Sequence, residues 1–277
     1  MTIQRILVLG ATGRIGTILR ETWAPDMALW QGRREFTVPG GAVPLVFDPI
    51  SQQQGLIQAG QGCSTVLCLA GAVPGRNDAM EDNIALARAA IRIGAGLGAR
   101  VLLSSSAAVY GAQQGPLDET TPPRPVADYG QAKLEMEREG ARLGIELGVP
   151  VTALRIGNIA GIDAILGNWR PGFALDRFPD GRTPRRSYIG PVTLSRVIQS
   201  LCRAKTLPDL LNLAAPEVIE MGALLDAAGL EWVPRPAPDH AIAEVSLATT
   251  RLEGFHPLPP EASLPETMVA EWRAQSR

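Results

Sequence analysis

The 277-residue chain has only three cysteines, two histidines and 5% aromatic residues. Cys63, Cys68 and Cys202 are odd in number and show no metal-ligand spacing, and the distant His240 and His256 cannot complete a usual zinc site. The sequence therefore predicts reduced thiols and no structural metal. An excess of either charge is also missing, since 26 basic residues meet 28 acidic ones for a net charge of −2. Without a long-range field, neither nucleic acid nor an anionic membrane surface is an expected partner. The first apolar run, Arg5–Gly10, starts after four residues and is too short for a signal-peptide core or a membrane span. A cytoplasmic protein is expected. With 45% apolar residues, the chain can bury a full core in one large or two small domains.

What is present is an alternation. Short runs at Arg5–Gly10, Met27–Gln31, Pro44–Phe47, Thr65–Ala70, Arg100–Ser104 and Val151–Arg155 read as strands. Helix-period patterns occupy Arg14–Thr22, Asn77–Leu97 and Asp128–Leu147. Such alternation predicts an α/β fold with a doubly wound, mostly parallel Rossmann sheet. Beyond about Gly161 the pattern loosens into an Arg-rich stretch, helices at Val192–Ala204 and Met221–Ala228, a short "LLNLAA" strand and a Pro-rich run, Val233–Pro265. The expected division is a dinucleotide-binding domain over 1–160 and a smaller, irregular substrate region over 161–277, with about 191–215 packing back on the first. The run "PRPAPDH" reads equally as a linker or an ordered surface loop.

"VLGATGRIG" sets Gly10, Gly13 and Gly16 between the first strand and the first helix. Glycines there allow a tight turn, close approach of backbone to a pyrophosphate and tight helix packing, beside the positive end of the helix. "RIGAGLGAR" carries similar glycines in the reverse context, a helix end before a strand, and reads as a cap and turn. The second strand ends "WQGRRE", where an acid would hold the ribose of NAD. Arg33 and Arg34, with Arg14 as a third cation, suit an extra phosphate on that ribose; the plain alternative is a pair of solvated arginines. Asp48 in "VFDP" either meets the adenine or forms a turn before Pro49.

Tyr129 and Lys133 in "YGQAK" are four residues apart and share one helix face. A phenol is a poor acid–base at neutral pH, and a nearby ammonium favours its phenolate. The strand "VLLSSSAAVYG" runs into three serines at the sheet edge where open α/β sheets bind ligands. Ser106 can there hydrogen-bond the same substrate oxygen as Tyr129.

Gly10-x-x-Gly13-x-x-Gly16, "LAGA" after the fourth strand, Asn83 in a long helix, "SSSAAVYG", Tyr129-x-x-x-Lys133 and "LRIGNIAG" together resemble the extended short-chain dehydrogenase/reductase family. Within it they are most similar to the nucleotide-sugar epimerase and dehydratase group, over residues 3–160 and more thinly through "RRSYIGPVTLSRVI" and "LNLAA". The resemblance implies hydride transfer between a nicotinamide cofactor and a secondary alcohol or ketone of a sugar-like substrate. It makes Tyr129 the general acid/base, Lys133 the residue that lowers its pKa and binds the nicotinamide ribose, and Ser106 the group that orients the reacting oxygen. It implies cofactor contacts for Gly10, Thr12, Gly13, Arg14, Ile15, Gly16, Arg33, Arg34, Asp48, Leu69, Ala70, Gly71, Asn83, Ser104, Tyr129 and Lys133. Ser106, Asn158 and Arg186 take substrate positions, the last two matching contacts to a diphosphate, and a homodimer through a four-helix interface is implied as well.

The departures carry information too. Ala107-Ala108 stand where dehydratases of this group carry Asp-Glu, which argues against dehydration. The missing acid after the second strand points to NADP(H), with NAD as the alternative, and so toward a reductase or an NADP-using epimerase. Arg186-Ser187-Tyr188-Ile189-Gly190-Pro191-Val192-Thr193 keeps only the Arg, Tyr, Ile and a displaced Val of the usual substrate-side pattern. A non-catalytic NADP(H) sensor on the same fold is the contrasting expectation, and retention of Ser106, Tyr129 and Lys133 argues against it.

Overall fold

The run RILVL forms β1 (Arg5–Leu9), in which Ile6 to Leu9 have no exposed surface. Such continuous burial marks a strand covered on both faces. The computed structural model describes residues 5–72 and 82–275. After β1 come α1 (Arg14–Thr22), β2 (Ala28–Gly32), β3 (Leu45–Val46), α2 (Gln53–Ala59) and β4 (Cys63–Cys68). Next are α3 (Asp82–Leu97), β5 (Arg100–Ser106), β6 (Pro116–Leu117), α4 (Asp128–Leu147), β7 (Val151–Ile156) and β8 (Asn158–Ile159). The remainder is β9 (Ala174–Arg177), β10 (Arg185–Ile189), α5 (Pro191–Arg203), β11 (Leu210–Leu213), β12 (Val218–Glu220) and α6 (Met221–Ala227). The chain closes with β13 (Val233–Pro236), β14 (Glu244–Leu247), α7 (Thr250–Glu253) and α8 (Pro265–Gln275).

Seven strands form one parallel sheet in the order β11-β7-β5-β4-β1-β2-β3. Successive side chains point to opposite faces, so each strand feeds two cores. Ile6, Val8, Leu67, Leu102 and Leu154 pack with Leu194, Val197 and Ile198 of α5 on one face. Leu7, Leu9, Val66, Val101 and Leu103 pack with Leu56, Ile91, Met136 and Leu143 of α2, α3 and α4 on the other. Each such large side chain stabilises the fold by roughly 1.5–3 kcal/mol when fully buried. The doubly wound sheet expected from the alternation is thus present, and its strand order reverses between β1 and β4, where ligands bind in such sheets.

Several elements differ from the sequence expectation. Residues 77–81 of the expected Asn77–Leu97 helix lie outside the described residues. β5 runs two residues further than expected and takes in all three serines, because Ser104, Ser105 and Ser106 pair in register with Leu154, Arg155 and Ile156 of β7. α2 was not anticipated, since its sequence QQGLIQA buries only Leu56. The expected "LLNLAA" strand is present, as the edge strand β11 (Leu210–Leu213) of the main sheet, paired with β7. The Pro-rich segment holds β13, β14 and α7, with β14 joining β10 and β6 in a small second sheet. A separate apolar cluster, including Ile165, Leu175, Tyr188, Leu224, Leu225 and Met268, holds the C-terminal region together. Among the described residues no helix is long and apolar enough to cross a membrane. All three cysteines are free and buried, and burial pushes Cys63 and Cys68 up to about 11 and Cys202 to about 12.

Candidate functional site

The turn after β1 requires glycine on steric grounds. Gly10 has φ +85°, and a Cβ there would lie 2.5 Å from the Ala70 nitrogen. A Cβ on Gly16 would lie 2.6 Å from the Gly10 carbonyl oxygen. Helix α1 opens at Arg14 with Gly13 as its cap, with no capping side chain and no acid in the first turn. Its positive end is therefore left for an outside anion. Gly10, Thr12, Gly13, Arg33, Asp48, Leu69, Ala70 and Gly71 line one cavity there. A second cavity, lined by Gly13, Arg14, Ile15, Gly16, Leu69, Gly71, Ser104, Ser106, Tyr129 and Lys133 among others, shares Gly13, Leu69 and Gly71 with the first. Asn83 sits directly beneath this junction: a Cβ on Gly71 would come within 2.7 Å of its Oδ1.

At the end of β2, Gln31 occupies the place where an acid would select a bare ribose. It is 1% exposed, accepts from the Gly10 N–H at 2.9 Å and donates to the Phe47 carbonyl at 2.7 Å. Its amide thus ties the glycine turn to the segment after β3. Arg33 lines the first cavity, whereas Arg34 is exposed and lines neither. Arg14 turns the opposite way, donating from Nη1 to the Ile162 carbonyl at 2.6 Å. The three arginines therefore do not converge, because the α1 start directs Arg14 to the second cavity. Asp48 combines both of its sequence readings. It lines the first cavity, and its Oδ1 accepts from the N–H groups of Ile50 and Ser51 at 2.8 and 3.0 Å. Those bonds, Ser51 first, with the Arg33 charge, hold its carboxyl below the usual value against partial burial.

The serine-rich end of β5 splits its three residues among three tasks. The Ser104 carbonyl accepts from Lys133 Nζ at 2.8 Å. The Ser105 hydroxyl donates to Glu137, which also pairs with Arg155 (Nη2 to Oε2, 2.7 Å) in a buried cluster. Ser106 caps the short turn Ala107–Tyr110, its Oγ accepting from the Ala108 N–H at 3.2 Å. That turn is what places Tyr129. A Cβ on Gly130 would lie 2.5 Å from the Ala108 carbonyl oxygen, so glycine lets the first turn of α4 press against it.

Tyr129 then meets Ser106. Burial pushes the phenol above its ordinary pKa, while the hydrogen bond with Ser106 and the charge of Arg14 pull it down. Lys133, 4% exposed, lies one helical turn on, with Nζ 5.9 Å from the centre of the Tyr129 ring. Burial lowers it to about 8, opposed by Cys68 and Glu137. Sequence reasoning missed Glu137, Arg155 and Gly130. The available signal was spacing: Glu137 lies four residues beyond Lys133, on the same helix face.

Asn158 lies between Gly157 and Ile159, which line the second cavity, and Arg186 lies on β10. Asn158 pairs with Tyr188 across β8 and β10 and hydrogen-bonds its hydroxyl, which donates to Asp163 Oδ2 at 2.6 Å. Arg186 spends its guanidinium on carbonyl oxygens, those of Arg185 at 2.7 Å and Ile242 at 2.9 Å. Burial lowers its pKa, and neither residue lines the two joined cavities.

The joined cavities fit a dinucleotide. Glycines without side chains, the uncapped start of α1 at the shared Gly13, and a buried lysine beside strand-end hydroxyls suit two phosphates between two nucleoside ends.

Comparison with known proteins agrees with this arrangement. A family model described as "NAD dependent epimerase/dehydratase family" matches residues 6–164, which hold the main sheet apart from β11 and the first residue of β1. A UDP-glucose 4-epimerase of Azospirillum brasilense is 31% identical over 179 residues, 57% of this chain and 50% of that protein. The chain thus matches that curated relative over about half of the relative's length. Among solved structures, a UDP-N-acetylglucosamine 4-epimerase from Methanobrevibacter ruminantium, in complex with UDP-N-acetylmuramic acid, is 17% identical with a TM-score of 0.76, covering 99% of this chain and 100% of its own. A Thermus thermophilus UDP-glucose 4-epimerase in complex with NAD is 20% identical with a TM-score of 0.72, covering 97% and 99%. At these identities the two structures establish a shared fold.

Proposed function

The chain belongs to the NAD dependent epimerase/dehydratase family, and from that premise we propose that it epimerises a sugar-like substrate at a secondary alcohol carbon, a nucleotide sugar being the class its relatives suggest. The observation that carries this reading is the meeting of Ser106, Tyr129 and Lys133 in one cavity that continues into the glycine-turn cavity. The glycine turn, Leu69, Gly71 and Lys133 would hold a nicotinamide dinucleotide, which when bound would supply an acceptor and donor of hydride. The Ser106 hydroxyl orients the substrate oxygen. The Tyr129 phenolic oxygen takes the proton from that oxygen when the alcohol is oxidised and returns it on reduction. Lys133, anchored on the Ser104 carbonyl, sets its ammonium beside the Tyr129 ring and would hold the nicotinamide ribose. Within this reading residues 1–160 carry the cofactor and 161–277 the substrate.

Dehydration is disfavoured because Ala107 and Ala108 offer no acid or base beside Ser106. A specific feature favours net reduction as the second reading: Gln31 in place of an acid, with Arg33 lining the same cavity, suits NADP(H), a carrier exchanged between turnovers. Incubation with UDP-sugars and catalytic NAD(P)+, followed by chromatography of the sugars, tests both. Interconversion of epimers without net cofactor change is expected. In a parallel incubation with a keto sugar nucleotide and excess NADPH, stoichiometric oxidation of NADPH would replace the epimerase by the reductase, and cofactor binding without turnover in either incubation would favour the sensor.

A further inference from the structure

Arg20 stands in the last turn of α1, and its side chain lines neither of the joined cavities. Its guanidinium nevertheless joins two pieces of the first cavity's wall. Nε donates to the Ala11 carbonyl inside the glycine turn at 2.9 Å, and Nη1 donates to the Thr37 carbonyl at 2.6 Å. Nη2 donates to Thr17 Oγ1 at 3.1 Å, which fixes the group against its own helix. The same guanidinium lies over the Phe36 ring, with Cζ 5.1 Å from the ring centre.

The loop held in this way has little else to hold it. Residues 33–37 belong to no helix or strand, and among the described residues the bond from Arg20 to Thr37 is the only hydrogen bond that their backbone makes. Arg33 in that loop lines the first cavity together with Thr12 and Gly32. Phe36 turns its ring back over Gly32, where a Cβ would lie 2.7 Å from the ring and 3.1 Å from Thr12 Cγ2. The loop is therefore folded onto the glycine turn, and Arg20 ties the two together from behind. A guanidinium suits that task because its planar fork sets several donors at fixed angles, whereas an ammonium is a single point.

We propose that Arg20 is a positioning residue for the end of the dinucleotide held in the first cavity: by bracing the glycine turn against residues 33–37, it keeps Arg33 where it meets a phosphate on the ribose. Ser106, Tyr129 and Lys133 line the second cavity, so the nicotinamide goes there and the adenosine end to the first. The proposal rests on the dinucleotide reading of the joined cavities and not on the proton transfer given to Tyr129. Without Arg20 the Thr37 carbonyl loses its donor, and Arg33 is free to swing into solvent, where screening weakens its hold on a phosphate.

Binding alone tests this, so the outcome is separate from whether the protein epimerises, reduces or turns nothing over. Wild type and Arg20→Met are titrated calorimetrically with NADPH, NADH and adenosine 2′,5′-bisphosphate, which carries the phosphate but not the nicotinamide half. NADPH affinity should fall about fivefold to tenfold, the bisphosphate by the same factor, and NADH by about twofold or less, as expected for loss of one exposed guanidinium–phosphate contact. Arg20→Lys should recover only part of the loss, because it cannot reach both carbonyls with one ammonium. In an Arg33→Ala background, Arg20→Met should leave the NADPH-to-NADH ratio unmoved, since the effect passes through Arg33. An arginine that merely stabilised the fold would lower the melting temperature and leave that ratio alone. An Arg20→Met ratio equal to wild type overturns the proposal, and so does a ratio that falls as far without Arg33 as with it. If Arg20→Met fails to fold, Phe36→Leu removes the ring beneath the guanidinium without touching α1. A wild-type ratio in that variant overturns the proposal as well.

Discussion

The two joined cavities are built from different material. Around Gly10, Gly13 and Gly71 one wall is the glycine turn, whose shape depends on backbone, since Cβ atoms on Gly10 and Gly71 would strike Ala70 and Asn83. Around Ser106 the walls are side chains, each held from behind: Lys133 by the Ser104 carbonyl, Ser105 and Arg155 by Glu137, Tyr129 by the close approach at Gly130. A backbone site recognises shape and charge in a ligand, whereas a side-chain site can move a proton. The contrast predicts that single side-chain changes abolish chemistry in one cavity and only retune affinity in the other.

The largest effect should come from Tyr129→Phe, which removes the hydroxyl and leaves the packing of the ring. Turnover should fall about 10²- to 10⁴-fold, the usual loss for a positioned acid/base, with dinucleotide affinity by calorimetry unchanged. Retained turnover would erase the distinction between the two cavities.

Next comes the support behind the second cavity. Glu137→Ala would leave the Arg155 guanidinium buried without its carboxylate and Ser105 without its acceptor. Removing one partner of a buried pair costs about 3–5 kcal/mol, and Arg155 has little to fall back on beyond the Tyr110 ring, 4.8 Å away. Denaturant unfolding should register that loss. A change below about 1 kcal/mol would show that the cluster is solvated or easily rearranged.

The same contrast explains what the sequence disclosed. Local patterns were readable: continuous apolar runs gave the main strands, and the Tyr129/Lys133 spacing gave one helix face. The glycine turn was readable because its requirement is steric and confined to seven residues. The pairing of Glu137 with Arg155 was not, since it joins α4 to β7 through the fold and neither residue looks unusual alone. Arg14 misled for a related reason. Its position in the turn suggested the ribose end, but helix geometry at the first residue of α1 carries its side chain toward Ile162. The C-terminal region was the least legible, because its strands are three to five residues long and owe their conformation to partners far along the chain.

The smallest effect should be on cofactor choice, in the backbone-built cavity. Gln31 spends its amide on the Gly10 N–H and the Phe47 carbonyl, so it has neither a charge nor a free hydrogen-bonding end to reject a 2′-phosphate. Arg33 is the arginine that lines this cavity, and its charge already reaches Asp48. NADPH should therefore bind about tenfold more tightly than NADH, a difference of about 1.4 kcal/mol, as expected for one exposed guanidinium on a phosphate with solvent screening. Arg33→Ala should remove most of that ratio while leaving NADH affinity nearly constant. Arg34→Ala and Arg14→Ala should leave the ratio where it was, because neither side chain reaches this cavity. Calorimetric titration of the four proteins with both cofactors decides the matter. Equal loss from Arg14→Ala would mean that the two cavities share their cations and that the boundary at Gly13 is not a functional one. A wild-type preference for NADH would instead assign the choice to the backbone at Gln31 and Gly32, and would favour the epimerase reading over net reduction.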